Sequence, residues 1–297
     1  MAFIRRNTQG GGKAQRFGLL RYVNTGNLGD EIQSLAARRF LPHVDRLLDR
    51  DRLNAPGWAC PRLRLIMNGW FTNSPENWPP HSVIEPLIIS FHLSDQMTTG
   101  GFSAAEALVV GENAAWLRHN GPIGARDPWT FELLRRNDID AWFSGCLTLT
   151  LCPPSNVVRK DYIVLSDVSA EIAASASRQT RSKMVTTTHA ETKTNSSRVR
   201  FSMAESLLRL YAEARCVVTS RLHCALPCLA MDTPVLLIPP RSAAKRMGGL
   251  SSLVRTCTPA EFLARRAAFD LEAAPNNPQG FLPLRAKLLE QCRAFTE

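Results

Sequence analysis

The chain has no apolar run near the ~20 residues that a bilayer span requires, so the sequence argues against an integral membrane protein. Residues 1–13 are basic and glycine-rich but lack the apolar segment of a secretory signal, which points away from export. Cysteines stand at 60, 146, 152, 216, 224, 228, 257 and 292 without a CxxC pair among them. Cys224 and Cys228 are four apart, yet no cysteine–histidine cluster with zinc spacing accompanies them. No metal site is therefore expected, and the thiols read as free ones in a cytoplasmic protein. Nor is there an internal repeat of solenoid period.

Acidic residues are missing from one stretch and nearly so from another. Residues 1–22 carry Arg5, Arg6, Lys13, Arg16 and Arg21 with no acid; residues 178–200 carry Arg178, Arg181, Lys183, Lys193, Arg198 and Arg200 against Glu191 alone. The two stretches account for the whole net charge of +10. A nucleic-acid-binding face would interleave aromatics with its basic residues, and these stretches do not, so no nucleic-acid partner is expected. Local basic patches of this kind suit an anionic ligand, an anionic glycan or peripheral contact with a membrane surface, and equally a basic tail and a solvated loop.

What the chain does have is 297 residues at 44% hydrophobic and 21% charged, enough for two cores of about 150 residues each. Strand-like and helix-like segments alternate, the signature of α/β folds with mostly parallel sheets. Strands are expected over 17–23, 63–67, 86–91, 121–125, 140–144, 162–165, 183–188, 216–219 and 234–238. Helices are expected over 30–40, 104–118, 128–136, 168–177, 203–214, from about 222, and over 259–269 and 283–294. Cys152-Pro153-Pro154-Ser155-Asn156 is the best linker candidate. It divides the chain into domains 1–155 and 156–297, with a ligand cleft expected between them.

Three strand-to-helix junctions concentrate polar residues. Val217-Val218-Thr219-Ser220-Arg221-Leu222-His223 ends an apolar run in a turn bearing a cation and an imidazole, where free N–H groups of a helix start attract anions. The same residues admit a plainer role, with Arg221 paired to a nearby carboxylate and His223 a core group. Pro227 falls where that helix needs a backbone N–H, so the helix is expected to start late or kink. In Gly124-Ala125-Arg126-Asp127-Pro128, Asp127 and Pro128 read as N-cap and first helical residue, leaving Arg126 at the junction mouth. Asn24-Thr25-Gly26-Asn27-Leu28-Gly29-Asp30 combines two glycines with the capping candidates Asn27 and Asp30, but lacks the spacing of either common phosphate loop. His92 and His189 read as structural or exposed.

Gly26-Asn27-Leu28-Gly29-Asp30, Gly124-Ala125-Arg126-Asp127 with Thr130, and Thr219-Ser220-Arg221-Leu222-His223, in that order, resemble the polysaccharide pyruvyl transferases. Asn68-Gly69-Trp70-Phe71 and Ser90-Phe91-His92 are similar to further segments of that family. The proline after His223 and the long segment 178–200 depart from its pattern. The resemblance implies two Rossmann-like domains facing across a cleft, as in the B type of glycosyltransferase. It implies transfer of the enolpyruvyl group of phosphoenolpyruvate onto two hydroxyls of one sugar, with phosphate released and no cofactor. Arg221 and His223 would be catalytic at the donor end, with Ser220 and Arg126 binding substrate. Asn27 and Asp30 would lie on the N-terminal side, nearer a glycan acceptor that is lipid- or nucleotide-linked. Two other functions compete: a nucleotide-sugar-dependent glycosyltransferase of the same architecture, and a non-catalytic glycan- or polyanion-binding protein.

Overall fold

A computed structural model describes residues 15–54, 62–94, 103–191, 194–240 and 247–297. Arg5, Arg6, Lys13, Cys60 and Lys193 lie outside the described residues, as do residues 95–102. The chain divides into two compact units, Met1–Val23 with Ser34–Leu147 and Lys287–Glu297, and Asn24–Gln33 with Thr148–Ala286.

The first unit holds a six-stranded sheet of β1 (Phe17–Arg21), β2 (Arg46–Asp49), β3 (Leu63–Trp70), β4 (Ile84–His92), β5 (Ile123–Ala125) and β6 (Ala141–Phe143). Its order is β2-β1-β3-β4-β5-β6, and every neighbouring pair is parallel. Its helices include α2 (Ala104–Leu108), α3 (Gly111–His119) and α4 (Pro128–Arg136). The single helix expected over 104–118 is two, because Gly111 takes a left-handed φ of 56° that an α-helix cannot continue through. β2 escapes sequence detection because its pattern, Arg-Leu-Leu-Asp, exposes the first leucine and does not alternate cleanly. Leu20, Leu65, Met67, Ile88, Phe91, Leu117 and Leu134 fill the core.

The second unit holds β7 (Tyr162–Ser166), β8 (Lys183–Thr187), β9 (Cys216–Thr219) and β10 (Val235–Leu237) in the order β10-β9-β7-β8, again wholly parallel. Its helices include α5 (Ala170–Ser177), α6 (Ser197–Glu213), α7 (Leu222–Ala230) and the short α8 (Pro259–Leu263). Ile163, Leu165, Val218, Leu236, Phe262 and Phe269 form its core. Parallel sheets of this doubly wound kind bear out the α/β, Rossmann-like expectation. In such a sheet ligands bind beyond the carboxyl ends of the strands, at the point where the winding reverses. In this unit β7 leads to β8 on one side and β9 lies on the other, so the reversal falls between Ser166 and Thr219.

Two segments group differently from a division at residue 155. Residues 24–33, which open α1 (Gly29–Arg38), belong to the second unit, not to the N-terminal one where Asn27 and Asp30 were expected. Backbone bonds staple them there: Leu28 N–H to His189 O at 2.8 Å and Glu191 N–H to Gly26 O at 2.6 Å, flanking an antiparallel bridge of Asn27 with Ala190. The end of α9 (Leu282–Thr296) belongs to the first unit, where Lys287 Nζ lies 3.9 Å from the centre of the Trp142 ring and Arg64 stacks over Phe295.

The basic stretch 178–200 is not one patch. Arg200 is buried, its guanidinium paired with Glu31 through Nε at 2.6 Å and Nη2 at 3.0 Å, and Nη1 on the carbonyl of Glu191 at 3.1 Å. Among the described residues, no helix is long and apolar enough to cross a membrane and no cluster of three His, Cys, Asp or Glu could hold a metal ion.

Candidate active site

The turn after β9 sits at the winding reversal of the second sheet. Arg221 takes the N-cap position of α7, and His223 falls in its first turn. The helix starts at Leu222, two residues after Ser220, and runs through Pro227 to Ala230, with Pro227 unable to donate to the His223 carbonyl four residues before. Thr219 Oγ1 donates to Ser166 O at 3.1 Å and accepts the Arg221 N–H at 3.0 Å, locking the turn onto the end of β7.

Asp167, the first residue past β7, organises this turn. Its carboxylate accepts Thr188 Oγ1 at 2.6 Å and the His189 N–H at 2.8 Å, and lies 3.1 Å from Arg221 Nε. Its carbonyl accepts Ser220 Oγ at 2.6 Å. Burial would push this carboxyl up, but the bonds from Thr188 and His189 and the Arg221 charge outweigh it and hold the group below 3.8. Sequence reasoning passed over Asp167; the available signal was a polar residue ending an apolar strand, the same one that picked out Ser220.

His223 packs on the opening of α1. Asn27 Oδ1 accepts the Gly29 N–H at 3.2 Å, and its own N–H donates to Thr25 Oγ1 at 3.1 Å. A Cβ built on Gly29 would lie 3.1 Å from both Asn27 Oδ1 and His223 Nδ1, and 3.2 Å from His223 Cβ. Any larger residue would have to push these neighbours back by a few tenths of an ångström, and glycine lets the imidazole and the Asn27 amide share one corner. Asp30 is buried and engages its own loop, accepting Thr25 Oγ1 at 3.1 Å and Gln33 Nε2 at 3.3 Å. Below the turn, His189 Nε2 is 2.9 Å from Tyr211 Oη, which is 3.2 Å from Ser166 Oγ, a buried polar chain joining α6 to β7.

Asn27, Asp30, Ser220, Arg221 and His223 therefore all fall in the second unit, while Arg126 belongs to the first. Arg126 follows β5 and is buried, its Nε 3.9 Å from Asp127 Oδ2. Asp127 caps α4 as expected, accepting the Thr130 N–H at 3.0 Å, and its other oxygen meets His92 Nδ1 at 2.5 Å. His92 is thus an oriented partner of the Arg126 junction and buried. Asp127 is held below 3.8: burial raises it, but the His92 bond and charge, the Arg126 charge and the Thr130 N–H prevail. A carboxyl depressed on folding stabilises above its unfolded value and loses that contribution as pH falls through the folded one. The stability gap between wild type and Asp127→Asn in urea titrations is accordingly expected to hold at neutral pH and to close below pH 3.8.

Comparison with known proteins bears on this arrangement. Residues 113–242 match the model of the polysaccharide pyruvyl transferase family. The pyruvyl transferase match takes in Arg126, Asp127, Asp167, His189, Ser220, Arg221 and His223, and stops short of the 24–33 loop and His92. No curated protein matches the chain significantly. Among solved structures, an uncharacterized protein of Klebsiella pneumoniae subsp. pneumoniae NTUH-K2044 is 13% identical with a TM-score of 0.46, over 82% of this chain and 92% of that one.

Proposed function

We propose that this protein is a ketal-pyruvyl transferase that moves the enolpyruvyl group of phosphoenolpyruvate onto two hydroxyls of a sugar in a glycan or its precursor. The observation that carries this reading is the pairing of Arg221 and His223 on one turn at the sheet's winding reversal, inside the stretch that matches the pyruvyl transferase family. Phosphoenolpyruvate carries a carboxylate and a phosphate, and a guanidinium fork with a helix N-terminus suits either group. Arg221 supplies such a cation at the start of α7 in the second unit.

His223 is assigned the proton transfer that the chemistry needs. One acceptor hydroxyl bonds to C2 as the methylene carbon gains a proton and becomes the methyl group. The C2–O bond to phosphate then breaks, and the second hydroxyl closes the ketal. The two hydroxyl protons balance the one gained by carbon and the one carried off with phosphate. An imidazole can serve as acid to the carbon or base to the hydroxyl. Asn27, which shares the Gly29 corner with His223, is the residue we assign to hold a hydroxyl.

Phosphate release from phosphoenolpyruvate that depends on added glycan acceptor tests this function. Release of nucleotide from a nucleotide-sugar, with phosphoenolpyruvate inert, would assign the protein to the glycosyltransferases instead. Gly29→Ala probes the geometry: its Cβ forces His223 or Asn27 to give by a few tenths of an ångström. Misplacement near the chemistry is expected to lower kcat by roughly 10-fold or more, with the melting temperature nearly unchanged. Wild-type kcat in that variant would detach His223 from the reaction.

A further inference from the structure

We propose that Asp167 is the positioning residue for Arg221: it holds the guanidinium by Nε and thereby presents the Nη1–Nη2 edge to the substrate anion. This rests on the donor-site role given to Arg221 above. A guanidinium is a planar fork with five N–H groups, and a carboxylate or phosphate takes two of them along one edge. Asp167 Oδ2 lies 3.1 Å from Nε. Nε is the guanidinium nitrogen of this ion pair, and 43% of the Arg221 side chain is exposed against 11% of Asp167. The carboxylate is thus the more buried partner and the guanidinium the more exposed one.

Asp167 is itself fixed beyond what a surface ion pair would be. Thr188 Oγ1 and the His189 N–H hold its two oxygens, its own N–H donates to Thr187 O at 3.1 Å, and its carbonyl carries Ser220. Its φ of 52° is in the left-handed region, where a residue other than glycine or asparagine is held at a cost. The same segment of β8's end, residues 188–191, also carries the 26–28 loop. One aspartate thus ties the orientation of Arg221 to the strand that positions the loop under His223.

The backbone conformation decides the variants. Asp167→Gly removes the carboxylate where glycine is at ease. Asp167→Asn keeps an acceptor oxygen for His189 and Arg221 and turns its amide to Thr188 Oγ1, which can accept. The first readout is the Nε–H resonance of Arg221 in nitrogen-edited NMR, assigned with Arg221→Lys and needing no ligand. It is expected to be resolved and slowly exchanging in wild type and Asp167→Asn, and lost in Asp167→Gly.

The second readout is affinity for phosphoenolpyruvate, titrated by NMR into the millimolar range. Asp167→Asn is expected within about threefold of wild type, Asp167→Gly weaker by about 10–100-fold. In an Arg221→Ala background, Asp167→Gly should add no further loss. A purely structural role would carry the same loss into that background and so overturns the proposal. So does an Asp167→Gly protein that keeps both the resonance and the affinity, or an Asp167→Asn protein as impaired as the glycine variant. A wild-type protein with the protected resonance but no affinity for phosphoenolpyruvate removes the donor reading while leaving Asp167 as the residue that orients Arg221.

Discussion

Replacing His223 with alanine is expected to lower pyruvyl transfer by about 10²–10⁴-fold, the usual cost of losing a general acid or base. The residue stands in the first turn of α7 with its imidazole against Gly29, where an added Cβ would come within 3.1 Å of Nδ1. The imidazole sits in a corner shared with the Asn27 amide and the start of α1, where added bulk presses on one or the other. The loss should fall on kcat, because the proton is transferred only as the carbon–oxygen bonds change. Arg221→Ala should instead act through both KM and kcat, since an anion contact is made in the ground state and retained. Full activity in both variants, measured as acceptor-dependent phosphate release, would remove the turn from the site.

The second large effect is on stability. Glu31→Ala is expected to destabilise the protein by about 3–5 kcal/mol, because it strands a buried guanidinium. Arg200 and Glu31 are each about 2% exposed along their side chains and are joined by two bonds. Burial pushes the Glu31 carboxyl above its ordinary 4.5 despite the opposing pull of Arg200. At roughly 2–4 °C per kcal/mol for a protein of this size, melting should fall by on the order of 10 °C. Glu31→Ala with Arg200→Met, which replaces the pair by apolar groups, should recover much of the loss. Single variants that melt like wild type would contradict the burial and pairing described for Arg200.

The pair also bears on the site. Glu31 follows Asp30 in the first turn of α1, and Arg200 lies on α6, so the bond fastens the loop that carries Asn27 and Gly29. Local sequence could not disclose this, because the partners are 169 residues apart and each looks like an ordinary surface charge. Arg200 in fact read as part of a basic patch. Asp167 escaped for a related reason: its weight comes from Thr188, His189 and Ser220, which only the parallel pairing of β7 with β8 and β9 brings to it.

What was legible lies where periodicity and turn chemistry coincide. The β9 run 216–219 and the helix 128–136 are found with the expected bounds, since an apolar run ending in polar residues and an Asp-Pro start leave little choice. The polar strand ends at Arg126 and Ser220 to His223 were legible for the same reason. The plainer role weighed for Arg221, a bond to a nearby carboxylate, is present too, since Asp167 provides it. The grouping of 24–33 with the second unit was not legible, because it depends on backbone bonds to residues 189–191 that carry no side-chain signature.

The most direct measurement is mass spectrometry of candidate glycans after incubation with the protein and phosphoenolpyruvate. A ketal-pyruvyl transferase adds the mass of one pyruvate less one water and releases phosphate in equal amount, and the His223→Ala protein does both about 10²–10⁴-fold more slowly. A panel that gains no pyruvate, or a wild-type gain that the His223 variant retains in full, would contradict the function and the site assigned to this chain.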